Sequence, residues 1–290
     1  YSWHRQNWFD WHAEEHRAAR EYVIIMDMST MSKFNIEGPS ALALMSRLSC
    51  NDVDVAVGRL VYTAWVNEQG GFEADLTVTR LAEDKFMVVV GENSHGHTLM
   101  HMKRHIHDGE VVVITDLTPA ITQINIHGPK ARHLMEKVSS ADMSNAAFPF
   151  MTWQDIDVGY WVIKAFRVTF VGELGWELQV PSYAAVQVYD LLKEAGKEFG
   201  LRDAGMQTLN SLRLEKAYRD FGLDVDNTDN PIEAGLGFAV KLDKSGGFIG
   251  RDALAAIKGK GVPSTRMLQF LLKDPEPLLY GNELIYLNGQ

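Results

Sequence analysis

The chain has 290 residues, 46% hydrophobic and 23% charged, enough to bury a sizeable core in one large domain or a few small ones. A formal charge of -10 with no basic run excludes general nucleic-acid binding, so an anionic ligand would need a local cationic patch. The single cysteine, Cys50, excludes an internal disulfide and a cysteine-pair metal site and fits a reducing compartment, while no apolar run reaches the roughly 20 residues of a membrane helix and no signal peptide is visible.

The opening residues 1–21, YSWHRQNWFDWHAEEHRAARE, are dense in Trp and His. They suit either a stretch lying against another domain or a surface helix starting near Trp11. Tyr1 without a leading methionine, and a strand–turn pattern running into Gln290, read as ends cut from something longer. Further on, residues 34–53 (FNIEGPSALALMSRLSCNDV) and 124–143 (INIHGPKARHLMEKVSSADM) align without a gap and are identical at nine of twenty positions. Each copy predicts a strand ending at glycine, a proline in the first helical turn and an amphipathic helix. The offset of 90 residues is too long for a solenoid and implies a duplicated half-domain.

Between the copies, residues 60–66 and 72–79 predict strands joined in a hairpin by Asn67-Glu68-Gln69-Gly70-Gly71. On the returning strand Phe72, Ala74, Leu76 and Val78 share one face, with Glu73, Asp75, Thr77 and Thr79 opposite. By its residue type alone Asp75 reads as a solvated strand residue. The segment ENSHGHTLMHMKRHIHDGE then puts His97, His101 and His105 at i, i+4 and i+8 on one helical face, which can chelate a metal. No cysteine completes such a set, and Met100 and Met102 point to packing. The expectation is a solvent-exposed histidine face that holds no metal.

Residues 166–178, FRVTFVGELGWEL, carry two strand-like arms around Gly172-Glu173-Leu174-Gly175, a hairpin signal. Trp176, Leu178 and Val180 fall on one face, Glu177 and Gln179 on the other. Glu177 reads either as a solvated strand residue or as an acceptor for two parallel N–H donors, such as the ring N–H and 2-amino group of a pterin. Phe170 or Trp176 can stack on such a ring. A helix follows from Pro181-Ser182 to Phe199, ended by Gly200, and a second from about Asp203 carries Arg213 and Glu215, too close in sequence to pair along it. The acidic run 224–229 lacks the glycine and glutamate of an EF-hand loop. Gly235-Leu236-Gly237 lacks the third glycine and the strand–helix context of a dinucleotide site, so a flavin would sit outside this chain. From Thr265 onward, MLQFLLKD and ELIYLNG predict the first strands of a terminal β-barrel-like domain.

Taken in order, these stretches resemble the tetrahydrofolate-binding family that includes the glycine-cleavage T-protein (aminomethyltransferase). Within it they are most similar to the folate domains fused to dimethylglycine and sarcosine dehydrogenases. The carriers are NEQGGFEADL at 67–76, FVGELGWEL at 170–178, LRLEKAYRDFG at 212–222, NPIEAGLGF at 230–238 and FIGRDAL at 248–254. YSWHRQNWF resembles the lead-in of the dehydrogenase branch, and the likeness covers about residues 8–290.

The resemblance implies an α+β fold. A lead-in from a preceding domain would occupy 1–20, a duplicated sheet-and-helix body around a central folate cleft 21–255, and the start of a C-terminal β-barrel-like domain 264–290. It implies that Glu177 holds the pterin and that Phe170 packs on the folate; several relatives have tyrosine there, so stacking survives but a phenol hydrogen bond does not. Asp75 is expected beside the reactive N5 and Tyr62 in the same pocket, although many T-proteins have two consecutive acids where this chain has Ala74-Asp75. Arg213, and after it Arg219, are expected near the anionic glutamate tail of the ligand.

The implied activity is tetrahydrofolate-dependent one-carbon transfer, as the folate part of a flavin-dependent dimethylglycine or sarcosine dehydrogenase that makes 5,10-methylenetetrahydrofolate. FAD would belong to a fused or associated domain, and the donor would be a small N-methylated amine or an aminomethyl donor. The alternatives are a stand-alone aminomethyltransferase or folate-dependent demethylase, and a folate-binding module without transfer. The implied compartment is the bacterial cytoplasm or the mitochondrial matrix, with neither nucleic acid nor membrane as partner.

Overall fold

A computed structural model describes residues 5–289. The chain opens with α1 (Phe9–Glu21) and β1 (Val23–Asp27). The first repeat copy follows as β2 (Ser32–Glu37) and α2 (Ala41–Leu48), then β3 (Leu60–Val66), β4 (Phe72–Ala82), β5 (Lys85–Val90), α3 (His95–Arg104) and β6 (Val113–Asp116). The second copy is β7 (Ile121–His127) and α4 (Ala131–Val138). After it come β8 (Trp153–Val158), β9 (Trp161–Phe166), β10 (Gly175–Pro181), α5 (Ala185–Gly196), β11 (Leu201–Asp203), α6 (Met206–Glu215) and α7 (Arg251–Gly259).

The shared sequence of the two copies has a physical reason at nearly every position. Gly38 and Gly128 both turn the chain from strand to helix with φ of +129° and +138°. A Cβ there would lie 2.5 Å from the Val111 carbonyl oxygen in one case and 2.4 Å from that of Tyr22 in the other, so only glycine fits. Those same carbonyls accept from the backbone N–H of Ser40 and Lys130, fixing each corner. Ile36, Ala41, Leu44 and Met45, like Ile126, Ala131, Leu134 and Met135, are fully buried beneath their sheets.

The strands form two sheets of matching order, β3-β4-β5-β2-β6 and β8-β9-β10-β7-β1-β11. Position by position, β3 corresponds to β8, β4 to β9, β5 to β10 and β2 to β7. The first strand of each half has changed places: β1 pairs antiparallel with β7 of the second half, and β6 pairs antiparallel with β2 of the first. β11 adds a parallel edge beside β1. The repeat helices cover the outer faces, α2 with α3 over one sheet and α4 with α5 over the other. The inner faces meet where Leu60, Met87 and Val89 of the five-stranded sheet pack on Phe166 of the six-stranded one. α1 packs on α6, so the described part of the Trp- and His-rich opening lies against this chain's own helix, residues 1–4 being outside the described residues: His12 and His16 both hydrogen-bond the Ser211 hydroxyl, at 2.8 and 2.9 Å.

Two expectations change. The arms around Gly172 are not a tight hairpin: β9 and β10 do pair, with Glu177 opposite Phe166, but residues 167–174 form the loop between them. Thr169 closes it, its hydroxyl accepting from the backbone N–H of Val171 and Gly172, and this local turn replaces the ladder. The apolar stretches beyond Thr265 form no strand; Phe270, Leu271, Tyr280 and Tyr286 are exposed, and among the described residues no strand offers them a ladder.

Candidate functional site

The site is built on the two inner faces. On the six-stranded sheet, Met26, Asn125, Glu177, Phe166 and Trp153 stand in register across β1, β7, β10, β9 and β8. Glu177 occupies the middle of this row and is largely buried. Its oxygens accept from Gln123 Nε2 at 3.2 Å and Asn125 Nδ2 at 3.4 Å. Burial pushes its carboxyl up to about 7, against the pull of Lys33 and Asn125. Lys33, in the first repeat copy, is fully buried and donates to the Ser29 and Met31 carbonyls at 3.1 and 2.7 Å. Burial lowers its ammonium to about 8, with Glu177 the strongest opposing influence. The two halves thus contribute one charge each to a shared, poorly solvated place.

On the five-stranded sheet, Lys33, Val89, Thr77 and Tyr62 form a row across β2, β5, β4 and β3. Asp75 follows Thr77 on the same face and accepts from the Tyr62 hydroxyl at 3.2 Å. Burial and the nearby Asp220 push Asp75 up to about 6, while hydrogen bonds from Tyr62 and the Phe221 backbone pull the other way. Tyr62 is raised far above an ordinary phenol by burial and by Asp75. Its ring stacks on Phe238 with centroids 6.2 Å apart. Asp220 and Phe221, and Phe238 through Tyr62, are therefore brought to Asp75 from far along the chain.

Phe170 stands on the 167–174 loop and stacks on Tyr218, with centroids 5.9 Å apart and planes 18° off parallel. α1 steadies that loop: Arg20 donates to the Val171 carbonyl at 2.7 Å and Glu173 at 2.9 Å, and also to Leu212 and Glu215 on α6. A shallow cavity opens beside the loop, lined by Phe150, Arg167, Thr169, Gly172, Leu174 and Tyr218 among others.

Trp176 does not join Phe170. Alternation along β10 turns it away from Glu177 into the outer core, where it is 0% exposed and packs edge-on against Phe148 at 6.0 Å. It cannot stack on a ligand held by Glu177. Arg213 also differs from expectation. It is buried and committed, ion-paired to Asp224 and donating to Asn210 and the Tyr218 carbonyl, so it anchors the acidic loop behind Asp75. Arg219 is less committed: its Nη1 donates to the Ala217 carbonyl, but its Nε is buried without a partner and no carboxylate pairs with it among the described residues. The histidine face is not wholly solvated either. His97 is exposed, but His101 is buried, stacked on Trp65 at 5.7 Å, and β4 brings Glu73 to His97 at 2.6 Å.

Lys33, Gln123, Asn125, Tyr218 and Phe238 have no part in the expectations from sequence. The asparagine had a signal, since Asn35 and Asn125 are polar identities at the centre of a buried strand in both copies. Lys33 and Gln123 are likewise matched positions on those strands. Tyr218 and Phe238 lie within the stretches 212–222 and 230–238, but their contacts are tertiary and no local pattern set them apart.

The fold and cleft define a class: a duplicated α+β protein whose two sheets each turn a perturbed carboxylate, Asp75 and Glu177, toward a common interior. The GCVT N-terminal domain family matches residues 1–244, and the chain belongs to it. It is 40% identical to 4-methylaminobutanoate oxidase (formaldehyde-forming) of Paenarthrobacter nicotinovorans over 289 residues, all of this chain and 35% of that one. It is 34% identical to human mitochondrial dimethylglycine dehydrogenase, again over its full length and 33% of the relative. The chain therefore spans about a third of these curated relatives. The solved glycine cleavage system aminomethyltransferase T of Bartonella henselae superposes with a TM-score of 0.76 at 26% identity, covering 87% of this chain and 67% of that structure.

Proposed function

We propose that the cleft binds tetrahydrofolate and carries one-carbon transfer onto it. The observation that carries this reading is the acceptor array around Glu177. Gln123, which donates to that carboxylate, and Gln179, opposite Gln123 and two residues along β10 from Glu177, each hold a buried Oε1 without a hydrogen-bond partner. Unsatisfied buried acceptors are costly, and a flat ligand presenting several N–H donors would satisfy them. A pterin is such a ligand, and the Phe170–Tyr218 stack offers an aromatic surface beside it. Donors arriving at Glu177 favour its ionised form and offset the burial that raises it. Arg219, not Arg213, is the cation available to the ligand's carboxylate tail.

Bound tetrahydrofolate supplies the nucleophilic N5. The chain's own residues do the rest. Glu177 with Gln123 and Asn125 fixes the ring. Asp75, held by Tyr62 and the Phe221 backbone, lines the same interior; ionised, it stabilises cationic character at the transferring carbon, and near its raised value it can accept or release a proton. Holding the partners together removes translational cost, up to about 7–11 kcal/mol in the best intramolecular models.

For the whole protein we propose a flavin-dependent oxidase or dehydrogenase of N-methylated amines, with the flavin in a domain or partner outside these residues. The supporting observation is end-to-end similarity of this chain to one third of two such enzymes. A stand-alone aminomethyltransferase is the second reading, supported by the superposition on the solved T-protein. Flavin absorbance in the native full-length protein separates the two.

Calorimetric titration of tetrahydrofolate into wild type and Glu177→Gln tests the folate reading. Gln keeps one acceptor and loses the charge, so affinity should fall by about 1–3 kcal/mol. Equal affinities would remove Glu177 from the site.

A further inference from the structure

We infer that Glu73, His97 and His101 form a binding site for a divalent first-row transition cation, separate from the folate cleft. β4 brings Glu73 to α3, where His97 and His101 stand one turn apart on one face. One donor atom from each of the three lies within 4.8 Å of the other two. His97 Nε2 and Glu73 Oε2 already touch at 2.6 Å. The independent sign is His101. It is only 7% exposed, and its Nε2 is buried with no hydrogen-bond partner. A buried ring nitrogen left unsatisfied beside a histidine and a carboxylate is what a metal ligand looks like before the metal arrives.

The donor chemistry narrows the cation. Two imidazoles and one carboxylate suit zinc, nickel, cobalt or copper and are too rich in nitrogen for magnesium or calcium. Tetrahedral zinc sets its ligand atoms about 3.3 Å apart, so the donors need modest side-chain rotation and no backbone shift. His105 packs against His101 with ring centroids 4.5 Å apart, and its Nδ1 hydrogen-bonds the His101 carbonyl, bracing the turn from behind. Three protein donors leave a fourth position for water. Occupied, the site would tie α3 to β4 two residues before Asp75.

The experiment uses tag-free protein of full natural length, stripped with chelator and titrated with zinc chloride by calorimetry. Cobalt substitution supplies a visible ligand-field spectrum as a second readout. Wild type should bind one zinc at this site at micromolar Kd or tighter, and saturation should raise Tm by a few degrees. Glu73→Gln and His97→Ala alter partly exposed positions and should each weaken binding at least tenfold and abolish the cobalt spectrum. His133→Ala, an exposed histidine on α4, should change neither. Absence of saturable zinc binding in wild type overturns the inference, as does binding that survives Glu73→Gln and His97→Ala together. Equal loss in His133→Ala also overturns it, by assigning the uptake to scattered surface histidines. Because metal is read directly, none of these outcomes depends on the folate reading.

Discussion

The two inner rows are the same structure with different contents. In the six-stranded sheet the row reads Met26, Asn125, Glu177, Phe166, Trp153; in the five-stranded sheet the corresponding positions are Thr115, Asn35, Met87, Thr79 and Leu60. Glu177 and Met87 are therefore counterparts, each directly opposite the asparagine the copies share. Met87 packs into the apolar contact between the sheets. A thioether satisfies the fold at that place, so the carboxylate at its counterpart is not needed for architecture. The neighbouring row makes the same point in reverse: Lys33 in the first copy matches Gln123 in the second. The duplication supplied one scaffold twice, and a charge stands on one member of each matched pair, Glu177 in one row and Lys33 in the other.

The largest expected effect lies outside the matched rows, at Asp75. Asp75→Asn should leave tetrahydrofolate affinity nearly intact while folate-trapped product falls on the order of 100- to 1,000-fold, as for removal of a preorganised electrostatic group. The assay compares methylenetetrahydrofolate with free formaldehyde in the full-length protein. Undiminished trapping in the variant would reduce Asp75 to a strand residue, and a parallel loss of affinity would make it a ligand-positioning one.

The comparison itself is tested by giving the second copy the first copy's residue. Glu177→Met should cost about 2–3 kcal/mol of folate affinity, whereas Met87→Leu should cost none, both read by calorimetry. Comparable losses would mean that the whole inner face, not one row, recognises the ligand.

Ligand-free stability should show the same asymmetry. Glu177 has a folded value near 7 against 4.5 unfolded, so the folded state holds its proton more tightly. The stabilisation is present in full below 4.5 and is lost as pH rises through about 7. Denaturant titrations should show a decline on the order of 1–3 kcal/mol across that window, part of it from Asp75, which shifts in the same direction. Glu177→Met should flatten most of the slope. An unchanged slope would assign it to other groups.

The smallest effect concerns the shared asparagines. Asn125→Ala removes a donor to Glu177 and should weaken folate binding by about 0.5–1.5 kcal/mol. Asn35→Ala should leave it unchanged. Equal effects would erase the distinction between the copies.

Much of this was legible in the sequence because the information is local. Glycine, proline and period-2 alternation predicted both repeat units, the hairpin around Gly70 and the faces of Asp75 and Glu177. The same alternation already set Trp176 opposite Glu177; reading it as a stacking ring overrode the parity of the strand. Arg213 was beyond reach, because its pairing with Asp224 depends on how the chain after α6 folds back. Burial of His101 was equally hidden, since it depends on Trp65 from another strand. The strands expected after Thr265 failed for the converse reason: local propensity was present and a partner was not.

The exchange of first strands governs how the molecule comes into being. β1 precedes its ladder partners by a long stretch of chain, since it pairs with His127 and its neighbours in β7 and, further on, with β11. Neither sheet can close from its own half alone, and such long-range pairing makes folding slow and late. Division at the repeat boundary would leave in each fragment a strand that the other's sheet needs. The pieces would be insoluble apart and would complement each other when mixed, so the repeats are two in sequence but a single unit in assembly.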